Sequence, residues 1–326
     1  MRIRFILMLI FLISCAPSPH QKALDILLSG IADESVIIQV NAAKGLVVIG
    51  DSRGIQVLHQ TLEGEDRDGV VASLGALSDV QEQTFLPIVL ALAESKDALI
   101  RTEAYQYIAR IDSEICREIL IKGVTDSVAR IRVISYRGLE KFKEKEVMYA
   151  GLRDINPQVR IATAQALENL GERGMEDFIM EQVQTVNSEV FRVGVIAIAE
   201  IGDTSVIPIL RKCLDDMPWE FRIAAAEALL ILNDNAGVHT LKEGLESHDP
   251  FVRIAALDIF KKHHIPDALS VLKDAVHDEY VNVSVGAIDV LATSHAQECK
   301  KIFEEMMDAP NPLVKIAAAT AYLRSE

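Results

Sequence analysis

"DINPQVRIATAQALENLG", residues 154–171, opens on Asp154, places Arg160 six residues later and runs through small side chains to Ala166 and Leu167. The same arrangement returns along the whole chain. With Arg160 as the anchor, equivalent positions fall at Gln39, Val70, Arg101, Arg132, Arg192, Arg222, Arg253, Ser284 and Lys315. Six of the nine intervals between successive anchors are 31 residues, and the others are 28, 32 and 30. A fixed period of this size marks stacked supersecondary units rather than separate globular domains. The usual expectation of about two domains for a chain of this length therefore does not apply.

The residue after the anchor is Val or Ile in nine of the ten copies, Thr102 being the exception. Seven places on stands a core-type side chain such as Leu46, Ile108, Leu167 or Leu229, with Ala42, Ala104, Ala225 and Ala318 between. This spacing puts a narrow apolar stripe on one face of a helix. Asn156-Pro157, Asp249-Pro250 and Asn311-Pro312 each supply an N-cap followed by proline at the first helical position, where its missing N–H costs nothing. Gly50, Gly171 and Gly202 follow the stripe, where a left-handed residue ends a helix. A further apolar helical pattern then begins, as in "TSVIPILRKCLDD" (204–216) or "DALSVLKDAVHD" (267–278). One repeat is thus a helix pair. The sequence predicts an all-α fold, an α-solenoid of about ten helix pairs, shaped as a curved rod about 90–100 Å long if helices pack 8–10 Å apart.

These repeats resemble the HEAT-repeat family, in particular the short bacterial HEAT-like repeats also found in phycobilin lyases. The resemblance covers residues 24–326. It implies that the acid six places before the anchor and the anchor arginine tie neighbouring repeats together. That pair is complete at Asp126/Arg132, Asp154/Arg160 and Asp216/Arg222, and a cation at repeat spacing is what interface hydrogen bonding selects. The resemblance also implies that the second helix of each pair lines the concave face. The stripe five places after the anchor there includes Arg137, Gln165, Glu227, Asp258 and Asp289. Its basic start and acidic end suggest a partner groove of graded charge.

The N-terminus carries an address. "MRIRFILMLIFLISC" has two arginines and an apolar run from Phe5 to Ile13. That run is too short to span a bilayer, which takes about 20 residues, and it has the form of a secretory leader. Leu12-Ile13-Ser14-Cys15 resembles the bacterial lipobox. On that basis residues 1–14 are a signal peptide, 15–23 a lipidated Cys15 with a short tether, and 24–326 the solenoid. The expected location is the bacterial cell envelope, at the outer membrane facing the periplasm, with the membrane engaged through the lipid.

Half of the residues are hydrophobic but only 5% are aromatic, so the core is built of aliphatic side chains, and the net charge of -15 argues against nucleic acid as a partner. Cys15, Cys116, Cys213 and Cys299 show no metal or disulfide spacing. There is no HExxH, GxSxG or phosphate-binding glycine loop. No His-Glu dipeptide occurs, in contrast to the di-iron hydroxylases that resemble HEAT arrays. His263-His264, adjacent on a helix, do not point to one metal. The sequence therefore suggests no cofactor, no metal, no catalytic residue and no enzyme, but a membrane-anchored scaffold for an envelope protein. The alternatives are a chromophore lyase or other modifying enzyme, or an assembly factor. Trp219 is an interface candidate. Because the last helix lacks a polar cap, its edge around Leu313, Ile316, Thr320 and Leu323 is expected to meet a partner or a second copy.

Overall fold

The structure is a computed structural model that describes residues 17–77, 83–183, 187–215, 217–263, 265 and 268–326. Residues 1–14 and Cys15 lie outside the described residues, as do Asp216 and His264. Twenty α-helices and no strands occur among the described residues. They form ten antiparallel pairs. The first five are α1 (Pro19–Gly30) with α2 (Val36–Val48), α3 (Ser52–Glu63) with α4 (Arg67–Leu77), α5 (Leu86–Leu92) with α6 (Ala98–Ile108), α7 (Glu114–Gly123) with α8 (Ala129–Leu139), and α9 (Lys145–Gly151) with α10 (Pro157–Asn169). The second five are α11 (Met175–Val183) with α12 (Ser188–Ile201), α13 (Ile207–Cys213) with α14 (Trp219–Ile231), α15 (Val238–Leu245) with α16 (Pro250–Lys262), α17 (Leu269–Ala275) with α18 (Val281–Ser294), and α19 (Ala296–Met306) with α20 (Pro312–Arg324). No described helix is long and apolar enough to cross a membrane.

Local chemistry sets the helix ends. Asn156 Oδ1 accepts from the N–H of Gln158 at 2.8 Å, Asp249 Oδ1 from Phe251 at 2.8 Å, and Asn311 Oδ1 from Leu313 at 2.9 Å. In each case proline follows as the first helical residue, so the cap satisfies donors that the helix itself cannot. Gly50, Gly171 and Gly202 adopt φ of 83°, 87° and 92°. A Cβ at any of the three would meet nothing within 4 Å. Backbone conformation alone, not crowding, calls for glycine there. Helix α1 starts earlier than the sequence suggests, because Ser18 Oγ caps it and Pro19 occupies its first position. Residues 19–23, expected to be tether, are therefore helical.

The second helix of each pair packs on the second helix of the next, from α2 through to α20. The series does not stop there: α20 packs against both α1 and α2. The solenoid is a closed ring rather than the curved rod expected from the sequence. Ala23, Leu27, Ala42 and Leu46 share one continuous core with Ile316, Ala319 and Tyr322. Gly30 and Gly45 make room for the join: a Cβ on Gly30 would stand 2.6 Å from Ala42 Cβ and 3.3 Å from Ile316 Cδ1, and one on Gly45 would collide with Thr320 Oγ1. Around this apolar seam Lys22 Nζ meets Asp308 Oδ1 at 2.6 Å, and His20 Nδ1 pairs with Glu326.

The expected docking role of Ile316 and the C-terminal edge is thereby corrected. Ile316 is only 4% exposed, and the uncapped edge is covered by the chain's own first repeat. Each end serves as the other's cap. Placing an unpaired charge in this seam carries a desolvation penalty, so Ile316→Glu is expected to open the ring. A larger radius of gyration by small-angle X-ray scattering, with stability reduced by about 3 kcal/mol, would bear this out. A folded variant with an unchanged radius would show that closure does not rest on this contact.

Candidate functional site

The anchor arginines work between repeats. Arg132 donates from Nε and Nη2 to the two carboxylate oxygens of Asp154 at 2.7 and 2.8 Å, and from Nη1 to the carbonyl of Asp126 at 2.9 Å. Arg101 grips Asp126 in the same way at 3.1 and 3.2 Å, and Arg253 Nη2 reaches Asp278 at 3.0 Å. The carboxylate partner is thus the aspartate of the following repeat. The aspartate six residues before the arginine contributes its carbonyl, from Asp126 to Arg132 and from Asp154 to Arg160. Asp154 also accepts from the Asn156 N–H at 2.8 Å, so one carboxylate caps its own turn and holds its neighbour. Where the following repeat lacks that aspartate, the arginine takes what is there. Arg160 uses Gln182 at 2.8 Å, and Arg222 uses Glu243 at 2.8 Å and the carbonyl of Leu214 at 2.7 Å.

Ring closure turns the ten second helices inward, and their stripe becomes the wall of a central opening. Arg137 Nη2 donates to Gln165 Oε1 at 3.2 Å, and Gln165 passes its amide N–H to Glu200. Lys262 Nζ donates to Glu227 at 2.8 Å. Lys261 Nζ lies 3.9 Å from Asp289, and burial against the wall pushes the Asp258 carboxyl up. Polar groups of successive repeats are thus joined around the wall. The picture of an exposed stripe is corrected at Gln165 and Glu227, which are 6% and 5% exposed, because inward curvature crowds side chains that a straight array would leave in water. Trp219 stands apart from this wall. It is half-buried at the start of α14, with the Arg222 guanidinium 4.1 Å above its ring.

Two cavities open on the wall. One, of about 440 Å³, lies among α8, α10, α12, α14 and α16; Arg130, Arg137 and Arg192 share it with Val193, Ile196 and Ile231. The other, of about 650 Å³, straddles the seam, with Lys44 from α2 and Leu313 and Arg324 from α20. Sequence reasoning assigned Arg192 to the inter-repeat ladder and did not single out Arg130. The available signal was faint: Val186 stands six residues before Arg192 in place of the acid. Among the described residues no group of His, Cys, Asp and Glu is arranged to hold a metal ion.

The sequence profile of the HEAT-repeat family matches residues 144–230 and 214–284. Residues 144–284 are HEAT repeats. Over 177 residues the chain is 25% identical to the uncharacterized phycocyanin operon protein Z of Pseudanabaena tenuis (strain PCC 7409), covering 53% of this chain and 77% of that protein. Among solved structures, the complex of CpcE and CpcF of phycocyanin lyase from Nostoc sp. PCC7120 is similar at a TM-score of 0.48 and 14% identity, over 78% of this chain and 98% of that one. Human deoxyhypusine hydroxylase is similar at 0.35 and 15%, over 75% and 97%. At these values the two structures share helical-repeat architecture with the ring and no more. The expectation that the chain is not an enzyme is corrected by its likeness to a phycocyanin operon protein.

The ladder makes two expectations measurable. Arg132 and Asp154 are each about one-eighth exposed, so Arg132→Ala leaves a largely buried carboxylate unpaired. It is expected to cost about 2–4 kcal/mol in chemical denaturation. Burial pushes the Asp154 carboxyl up, but the Arg132 hydrogen bond, the Asn156 N–H and the nearby guanidinium charges outweigh it, so its pKa is lowered; Asp126 is lowered by the same balance around Arg101. A lowered folded-state pKa gives stability that is complete above the unfolded value of about 3.9 and is lost as pH falls through the folded one. The stability gap between wild type and Asp154→Asn is therefore expected to be full near neutral pH and to narrow below about pH 4.

Proposed function

We propose that this ring is a lyase-type protein of the phycobilin class, which holds a bilin chromophore and presents it to a cysteine of a protein partner. The observation that carries the reading is the alignment with a phycocyanin operon protein over 77% of that protein's length. The interior supports it physically. A cavity of about 440 Å³ walled by charged and apolar groups falls in the range that small-molecule sites occupy. In such a reaction the cysteine of the acceptor supplies the nucleophile.

The address is a second proposal with its own support. Residues 1–14 have the form of a leader and Cys15 stands at a lipobox-like end. Acylation there would tether the ring close to a membrane surface in the envelope, and an acceptor would have to be met in that compartment. Intact mass and membrane partitioning of wild type and Cys15→Ala test the address alone. Loss of residues 1–14 with a gain of acyl mass, abolished in the variant, supports it; an unprocessed soluble chain overturns it.

The function is tested by co-expressing the full chain with bilin-synthesis enzymes and phycocyanin subunits as acceptors. The expected result is bilin covalently attached to an acceptor subunit, visible by zinc-enhanced fluorescence after denaturing electrophoresis and dependent on the chain. Attachment that is the same with and without the chain would overturn the lyase reading.

A further inference from the structure

The cavity between α8 and α12 has a charge pattern that the ring's architecture does not require. Arg130 and Arg137 stand seven residues apart on α8, two turns along the same face and about 10 Å from one another along the axis. Arg192 enters from α12, and Lys262 from α16. Two of these cations are matched: Arg192 Nη2 lies 3.2 Å from Glu189, and Lys262 Nζ lies 2.8 Å from Glu227. Arg130 and Arg137 have no carboxylate within hydrogen-bonding reach among the described residues, and Arg137 donates instead to the neutral amide of Gln165. The acids that face them act at longer range. Glu200 and Glu140 favour the charge on Arg137, while Arg130 and Arg192 oppose it, and Arg130 bears on Glu103. Arg137 stays exposed to the opening, and the protein around it is the largest influence on its pKa, which it lowers.

Both arginines face the opening, and the guanidiniums gathered there repel one another with no carboxylate in contact with either to offset it. The chain as a whole has net charge -15, so acids were available to quench the site. The ladder shows the alternative, since Arg101, Arg132 and Arg253 each have an aspartate from the next repeat. Beside the two unmatched arginines lie Val193, Ile196 and Ile231, which offer a bare anion nothing and an apolar body a surface.

We infer that this wall is a binding site for an amphipathic organic anion, whose charged group is taken by Arg130 and Arg137 and whose apolar body lies on Val193, Ile196 and Ile231. The guanidiniums supply charge-assisted hydrogen bonds of fixed geometry, and the aliphatic side chains supply burial. The inference follows from the wall alone and does not rest on the lyase reading.

The test is a fluorescence titration of the full chain with anilinonaphthalene sulfonate, beside phenylnaphthylamine, which has the same apolar body without the sulfonate. Saturable binding of the sulfonate is expected, with phenylnaphthylamine weaker and free sulfate a poor competitor. Arg137→Gln and Arg130→Gln are each expected to weaken sulfonate binding about tenfold or more, with phenylnaphthylamine affected little. Arg324→Gln, at the seam cavity, is expected to leave both unchanged. Arg130 is exposed to the opening, so its replacement leaves packing intact; circular dichroism of each variant checks this. Equal sulfonate affinity in wild type and Arg130→Gln, or phenylnaphthylamine bound as tightly as the sulfonate, would overturn the inference and leave only a sticky apolar surface. Displacement by sulfate at comparable concentration would also overturn it, since the site would then take a bare anion.

Discussion

Closure depends on α20 finding in α1 and α2 the groove that every other second helix finds in its neighbours. That fit is a cumulative constraint. Ten repeats must together turn through a full circle, an average of about 36° each, and an error in any one of them would reappear at the seam. Small side chains make the tolerance workable. Ala42, Ala318 and Ala319 are fully buried at the join, and Gly30 and Gly45 remove the atoms that would hold the last helix away. A core poor in aromatics suits this, because close and uniform helix approach leaves little space for rings.

The ladder and the wall apply the same chemistry to opposite ends. At the turns, arginine and aspartate come from adjacent repeats and satisfy one another, so the charge is spent on fixing the angle between repeats. On the wall, Gln165, Glu200, Glu227 and Lys262 also join successive repeats, yet Arg130 and Arg137 have no acid in contact with them. The ring thus separates charges that hold it together from charges still free to interact.

The repeat, the helix pairs and their caps were legible in the sequence because they are local. Asn156, Asp249 and Asn311 announce a helix start within three residues, and Gly171 announces an end. Closure was not legible, since it compares residue 30 with residue 316, and nothing local reports the sum of ten small rotations. The same reason explains the missed exposure of Gln165 and Glu227, and of Ile316: each is open in a straight array and buried once the array bends shut. The direction of the ladder was hidden differently. A period of about 31 residues makes the aspartate before an arginine and the aspartate of the next repeat equivalent in sequence, and only geometry tells them apart. The interior site was the least visible, because Arg192 carries the ladder's residue type at the ladder's position and yet serves the cavity.

A linear solenoid loses its terminal repeats first, since each has one neighbour, and it melts inward from its ends. Here every repeat has two. The first rupture, wherever it falls, breaks a complete interface and frees no repeat, so the chain's remaining order is untouched until a second break follows. Fraying, the ordinary early route of unfolding in stacked arrays, has no place to begin. The His20–Glu326 and Lys22–Asp308 contacts therefore matter less for the energy they add than for removing the ends from which a one-dimensional structure comes apart.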